Sequence, residues 1–125
     1  MNNRPSVPVA VERAYDLWLW LDARVTDFPV TARHSLGPRV LGAIVDVMDL
    51  LTRAAYTPRD SPRRLEALLE ASHRLALLRL LLRGCRERKY LSVSQHEHVV
   101  ERVSELGRML GGWIRHTGAK EPTPE

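Results

Sequence analysis

The chain has 125 residues, 44% of them hydrophobic and 27% charged, with a formal net charge of +4 at pH 7. That length fits one domain around a single core, and the composition excludes a disordered or low-complexity chain. No stretch approaches the roughly 18 to 20 uninterrupted apolar residues of a bilayer span, and abundant leucine with only 6% aromatics favours an all-α fold over a sheet.

Residues 1–8 carry one arginine and no apolar run behind it, so they predict a disordered N-terminus and no secretory leader. The first helix is predicted from Val9 to Thr26. It stops at Asp27-Phe28-Pro29, because a proline pushes the residue before it out of the helical region. The second is predicted from Val30 to Tyr56 and contains Gly37-Pro38. There the proline either kinks the helix or marks its true first turn. In Thr57-Pro58-Arg59-Asp60-Ser61-Pro62, Asp60 or Ser61 can cap a third helix with Pro62 in its first position.

The third helix is predicted to run to Lys89 and has two apolar stripes. Ala67, Ala71, Leu75, Leu78, Leu82 and Cys85 share one side; Leu65, Leu69, Ala76 and Leu80 share another, with Arg79, Arg83 and Arg86 in a row between them. A bundle helix needs one apolar stripe, and a second must also be buried. It faces either a second subunit or another helix of the same chain. An oligomer is the expectation.

Ser92-Val93-Ser94-Gln95 has capping-box spacing and opens a fourth helix, predicted to Thr117. Val99, Val103, Leu106 and Leu110 mark its core face. Gly107 and Gly111 lie near an edge of that face, where another backbone could approach closely. The tail from Gly118 is polar, contains Pro122 and Pro124, and is expected to be disordered. The domain reading is therefore a four-helix bundle over residues 9–117 with short polar ends. Four helices of roughly 27 to 40 Å joined by short connections make an antiparallel up-down-up-down bundle.

The lone cysteine, Cys85, cannot form an internal disulfide and suits a reducing, cytoplasmic compartment. Seventeen arginines against Lys89 and Lys120 are what a GC-rich coding genome would also give. Their distribution is more telling. From Arg59 to Tyr90 there are nine basic residues against four acidic ones, so this segment holds the whole positive excess. An electropositive face concentrates polyanions.

No catalytic constellation is found. His96 and His98 diverge by about 200° on a helix, which does not suit a metal pair. His34, His73 and His116 stand alone in the sequence. There is no phosphate loop, nucleophile elbow or paired-carboxylate motif, so no enzyme activity, cofactor or metal is expected. The candidate site is the basic set Arg74, Arg79, Arg83, Arg86, Arg88 and Lys89. Like charges three or four apart on a helix repel, so these side chains need an anionic partner. Phosphates fit, because arginine grips them with two parallel hydrogen bonds; so do Asp46, Asp49, Glu101 or Glu105 of neighbouring helices. With no sequence-reading motif or stacking ladder in view, any nucleic acid, RNA or DNA, would be held by its backbone, nonspecifically and salt-dependently.

Several stretches carry a resemblance. They are Tyr15-Asp16-Leu17-Trp18-Leu19-Trp20-Leu21, Phe28-Pro29 with His34-Ser35-Leu36-Gly37, Ala54-Ala55-Tyr56, and Leu77-Leu78-Arg79-Leu80-Leu81-Leu82-Arg83. Gln95-His96-Glu97-His98 follows, and then Gly107-Arg108-Met109-Leu110-Gly111-Gly112-Trp113, the most specific of them. In this order they resemble the accessory variability determinant (Avd) family of diversity-generating retroelements, within the four-helix-bundle group related to ribosomal intervening-sequence proteins. The resemblance implies a homopentameric barrel with a basic surface. It also implies a non-enzymatic partner of the element's reverse transcriptase and RNA template in adenine-directed mutagenic reverse transcription. The chain departs from the family in its scarcity of lysine. A purely structural or protein-interaction oligomer is the alternative.

Overall fold

Proline and serine punctuation sets the element boundaries in the computed structural model, which describes residues 8–119. The elements are α1 (Val9–Thr26), a single turn α2 (Val30–Arg33), α3 (Leu36–Ala55), α4 (Pro62–Glu87) and α5 (Val93–Ala119). The Pro8 carbonyl accepts the first backbone bonds of α1, from Val11 and Glu12. At its other end α1 stops one residue before Phe28, which is buried against Tyr90 at 5.4 Å between ring centroids.

The predicted second helix is broken at His34-Ser35. Of the two readings of Gly37-Pro38, the first-turn one holds: Pro38 is the third residue of α3, where a missing N–H leaves no intrahelical bond unmade. Gly37 is required there by space. A Cβ at this position would lie 2.8 Å from Val25 Cγ1 and 3.0 Å from the Ala32 carbonyl oxygen.

Ser61 caps α4 by accepting a hydrogen bond from the Arg63 N–H, with Pro62 in the first position. The helix ends at Glu87, two residues before the predicted Lys89, because Lys89 adopts a left-handed φ of 65°. The Tyr90 N–H donates to the Cys85 carbonyl (2.8 Å) and the Lys89 N–H to the Arg86 carbonyl (2.9 Å). This is the double bond pattern of a Schellman stop. The capping box of α5 is formed in both directions, from Gln95 N–H to Ser92 Oγ and from Ser92 N–H to Gln95 Oε1, each 3.0 Å. This helix continues through Gly118 and Ala119, two residues past the predicted end at Thr117. No proline intervenes before Pro122, and a glycine alone costs only about 1 kcal/mol of helix propensity. The remaining terminal residues, predicted to be disordered, lie outside the described ones.

The four long helices close a ring in which α1 packs on α3, α3 on α4, α4 on α5 and α5 on α1. Contacts fix the directions. Arg74 of α4 meets Asp46 of α3, and ten residues later Gly84 lies beside Leu36, ten residues earlier. Likewise Arg13 meets Glu105, and Trp20, seven residues on, meets His98, seven residues back. Neighbours therefore run antiparallel, and the architecture is an up-down-up-down bundle. Leu21, Ile44, Leu51, Leu68, Leu78, Leu82, Leu106 and Leu110 fill its interior and are fully buried. Cys85 is part of this core, and burial pushes its thiol up to about 11, so it stays protonated and behaves as a small apolar side chain. Among the described residues no helix is long and apolar enough to cross a membrane.

Candidate nucleic-acid interface

The first apolar stripe of α4 is the one that enters the core. Ala67, Ala71, Leu75, Leu78, Leu82 and Cys85 are all buried, joined by Leu68. The second is not covered by any helix of its own chain: Leu69 is 52% and Leu80 59% exposed, Ala76 is exposed, and Leu65 is half-buried. Burial of this stripe between helices of one chain is thereby ruled out. It lies on the outside of the bundle.

Arg79, Arg83 and Arg86 stand on the same outer surface, between that stripe and α5, and all three are exposed. Arg79 leans across the α4–α5 groove, where its Nη2 would lie 3.0 Å from a Cβ at position 107. The expectation that another backbone approaches Gly107 is thus replaced by a side chain: the missing Cβ makes room for a guanidinium. The groove has a volume of about 400 Å³ and is floored by Ser72, Ala76, Ser104 and Gly107. Arg108 of α5 lines it as well. Periodicity along one helix could not find Arg108, since it joins Arg79 only through helix packing. Small residues in register on both helices were the available signal.

Arg83 reaches only Glu87 on its own helix, at 3.7 Å, with the two side chains 67% and 66% exposed. Such a pair contributes at most about 1 kcal/mol. Arg86 lies near His96 of α5. Burial of the imidazole, and after it the Arg86 charge, lower the His96 pKa, with Glu97 opposing them. Arg88 and Lys89 follow at the α4–α5 turn, both exposed, where Arg86, Lys89, Ser92 and Val93 line a second hollow of about 550 Å³.

Arg74 stands apart from this group. It sits on the α3 flank, donating from Nε to Glu70 (2.9 Å) and from Nη1 to Asp46 (3.3 Å). The structure therefore brings five of the six predicted residues to one surface and engages the sixth elsewhere. The carboxylates that could have neutralised the row are otherwise occupied or distant. Asp46 is taken by Arg74, Asp49 by Arg53 and Glu105 by Arg13, while Glu101 is exposed and pairs with none of the row. Three guanidiniums thus face solvent without a carboxylate from a neighbouring helix among the described residues.

The histidine pair is split by its helix. His98 stacks obliquely on Trp20 of α1, with centroids 5.2 Å apart, while His96 lies on the α4 side. At the far end of the bundle, Arg64 covers Trp113 at 5.5 Å, and Arg59 contacts His116. These contacts tie the basic N-terminal turn of α4 to α5, and leave the C-terminal half of α4 as the open basic surface.

The chain was compared with known proteins. The family model described as bAvd-like matches residues 8–117, which is almost the whole of the bundle. No curated protein matches the chain.

Proposed function

The chain belongs to the bAvd-like (Avd) family, and on that premise we propose that it is a non-enzymatic accessory subunit of a diversity-generating retroelement. It binds the template RNA and the reverse transcriptase through a basic surface, as a homopentameric barrel, in support of mutagenic reverse transcription. The observation that carries the RNA reading is the row Arg79, Arg83 and Arg86, exposed and left, among the described residues, without a carboxylate from any neighbouring helix. The favourable field of a helix C-terminus acts within its last turn; it accounts for Arg86, whereas Arg79 lies two turns from the end of α4. A polyphosphate backbone removes the repulsion along the row and supplies bidentate acceptors. With no base-stacking ladder on this surface, the binding is to backbone and is nonspecific.

A second reading, a structural oligomer in which the same arginines form intersubunit salt bridges, is favoured by the exposed Leu69, Ala76 and Leu80 stripe beside them. Replacing Arg79, Arg83 and Arg86 together by glutamine separates the two. The proposal expects RNA affinity to fall on the order of tenfold or more at low salt, with reverse-transcriptase binding reduced and the subunit number unchanged. Dissociated subunits would support the structural reading, and unchanged RNA affinity would refute the first.

A further inference from the structure

The outer surface of α1 carries its own apolar stripe. Tyr15 and Leu19, one turn apart, are 47% and 45% exposed, and exposed Ala23 continues the line. Their neighbours in charge are acidic: Glu12, Asp16 and Asp22 are all exposed. The two arginines of α1 do not offset them on this face, because Arg13 is drawn to Glu105 on the α5 flank and Arg24 lies over Trp20 at 5.1 Å. Arg13 reaches Asp16 only at 3.9 Å.

The stripe on α4 has the opposite surroundings. Leu69, Ala76 and Leu80 are edged by Arg79 and Arg83, and Glu70 on the same helix is engaged by Arg74. Since the helices close the ring α1-α3-α4-α5, α1 and α4 are diagonal and their outer stripes point to opposite sides of the molecule. One copy thus presents an acid-edged apolar stripe on one side and an arginine-edged one on the other. Stacking like on like would set carboxylates against carboxylates or guanidiniums against guanidiniums, while stacking unlike on unlike is complementary in both respects.

We propose that copies of this chain join head to tail, the Tyr15–Leu19 stripe of α1 packing on the Leu69–Ala76–Leu80 stripe of α4 in the next copy, with the α1 carboxylates meeting Arg79 and Arg83. The inference rests on the oligomeric part of the proposed function and specifies the surfaces that make it. Such a contact uses different patches on the two partners, so it propagates until a ring closes. It also places the arginine row at each junction, beside RNA rather than beneath it.

The test uses two full-length variants, Leu19→Glu and Leu80→Glu, both at exposed positions that leave the core untouched, with helix content checked by circular dichroism. Light scattering on the eluting species is expected to give the 14.3 kDa chain mass for each variant alone, against a multiple of it for the wild type. An equimolar mixture is expected to give twice the chain mass and no more, because one intact α1 and one intact α4 remain to form a single junction. A Leu19→Glu variant that keeps the wild-type mass, a mixture that stays monomeric, or a monomeric wild type would each overturn the proposal. RNA affinity measured on the same samples separates this from the functional reading. Wild-type protein that assembles but ignores RNA refutes only the latter; RNA-binding protein whose Leu19→Glu variant stays assembled refutes only the former.

Discussion

His96 reports on the basic surface at the scale of one residue. Burial and the Arg86 charge both disfavour its imidazolium, so its folded pKa lies below the ordinary 6.5 of the unfolded chain. Above that value both states are neutral and the residue contributes no pH dependence. As pH falls through 6.5 the unfolded chain takes up the proton first, so this group withdraws stability until the folded pKa is passed. Arg86→Gln is expected to raise the His96 pKa, read from its ring proton shifts by NMR, and to make the loss of stability between neutral and mildly acidic pH shallower. An unmoved pKa would mean that the two side chains do not sense each other. Lys89 offers a second single-residue test. A left-handed φ of 65° suits glycine better than lysine, so Lys89→Gly should raise unfolding stability by about 0.5 to 1 kcal/mol in denaturant titrations. A loss would contradict the strain assigned to the α4 stop.

Between elements, the legible features were those written locally. The Asp27-Phe28-Pro29 stop, the Ser61-Pro62 start and the Ser92-Gln95 capping box each depend on residues within a few positions of one another, and each stands where the sequence places it. The break at His34-Ser35 was not legible, because it depends on Gly37 docking against Val25 and the Ala32 carbonyl, a contact between segments. Two glycines of α3 make this testable. Gly42 is exposed, and a methyl group added there would meet no atom within 4 Å, whereas a methyl at Gly37 would overlap its neighbours. Gly42→Ala should therefore gain about 1 kcal/mol of helix propensity, and Gly37→Ala should lose roughly 1 to 3 kcal/mol by overpacking. Thermal or urea unfolding of the pair checks the sign of each. Equal effects would remove the packing reason for Gly37.

For the whole molecule, periodicity located both stripes of α4, but only the packed ring decides which one is core and which is surface. The candidate site was legible to the same extent. Spacing placed Arg79, Arg83 and Arg86 in a row, yet it could not show that Asp46, Asp49 and Glu105 are committed to other arginines, nor that Arg74 leaves the row for α3. Those are tertiary facts, and they are what leave the row open to an outside anion. The salt dependence of RNA binding tests this most directly. If three guanidiniums per subunit each hold a phosphate of a single strand, the plot of log affinity against log salt falls steeply for the wild type. Its slope becomes shallower by about 2 per engaged subunit when Arg79, Arg83 and Arg86 are replaced by glutamine. A wild-type affinity that does not respond to salt, or a slope that the substitutions leave unchanged, would contradict the phosphate-binding role of the row.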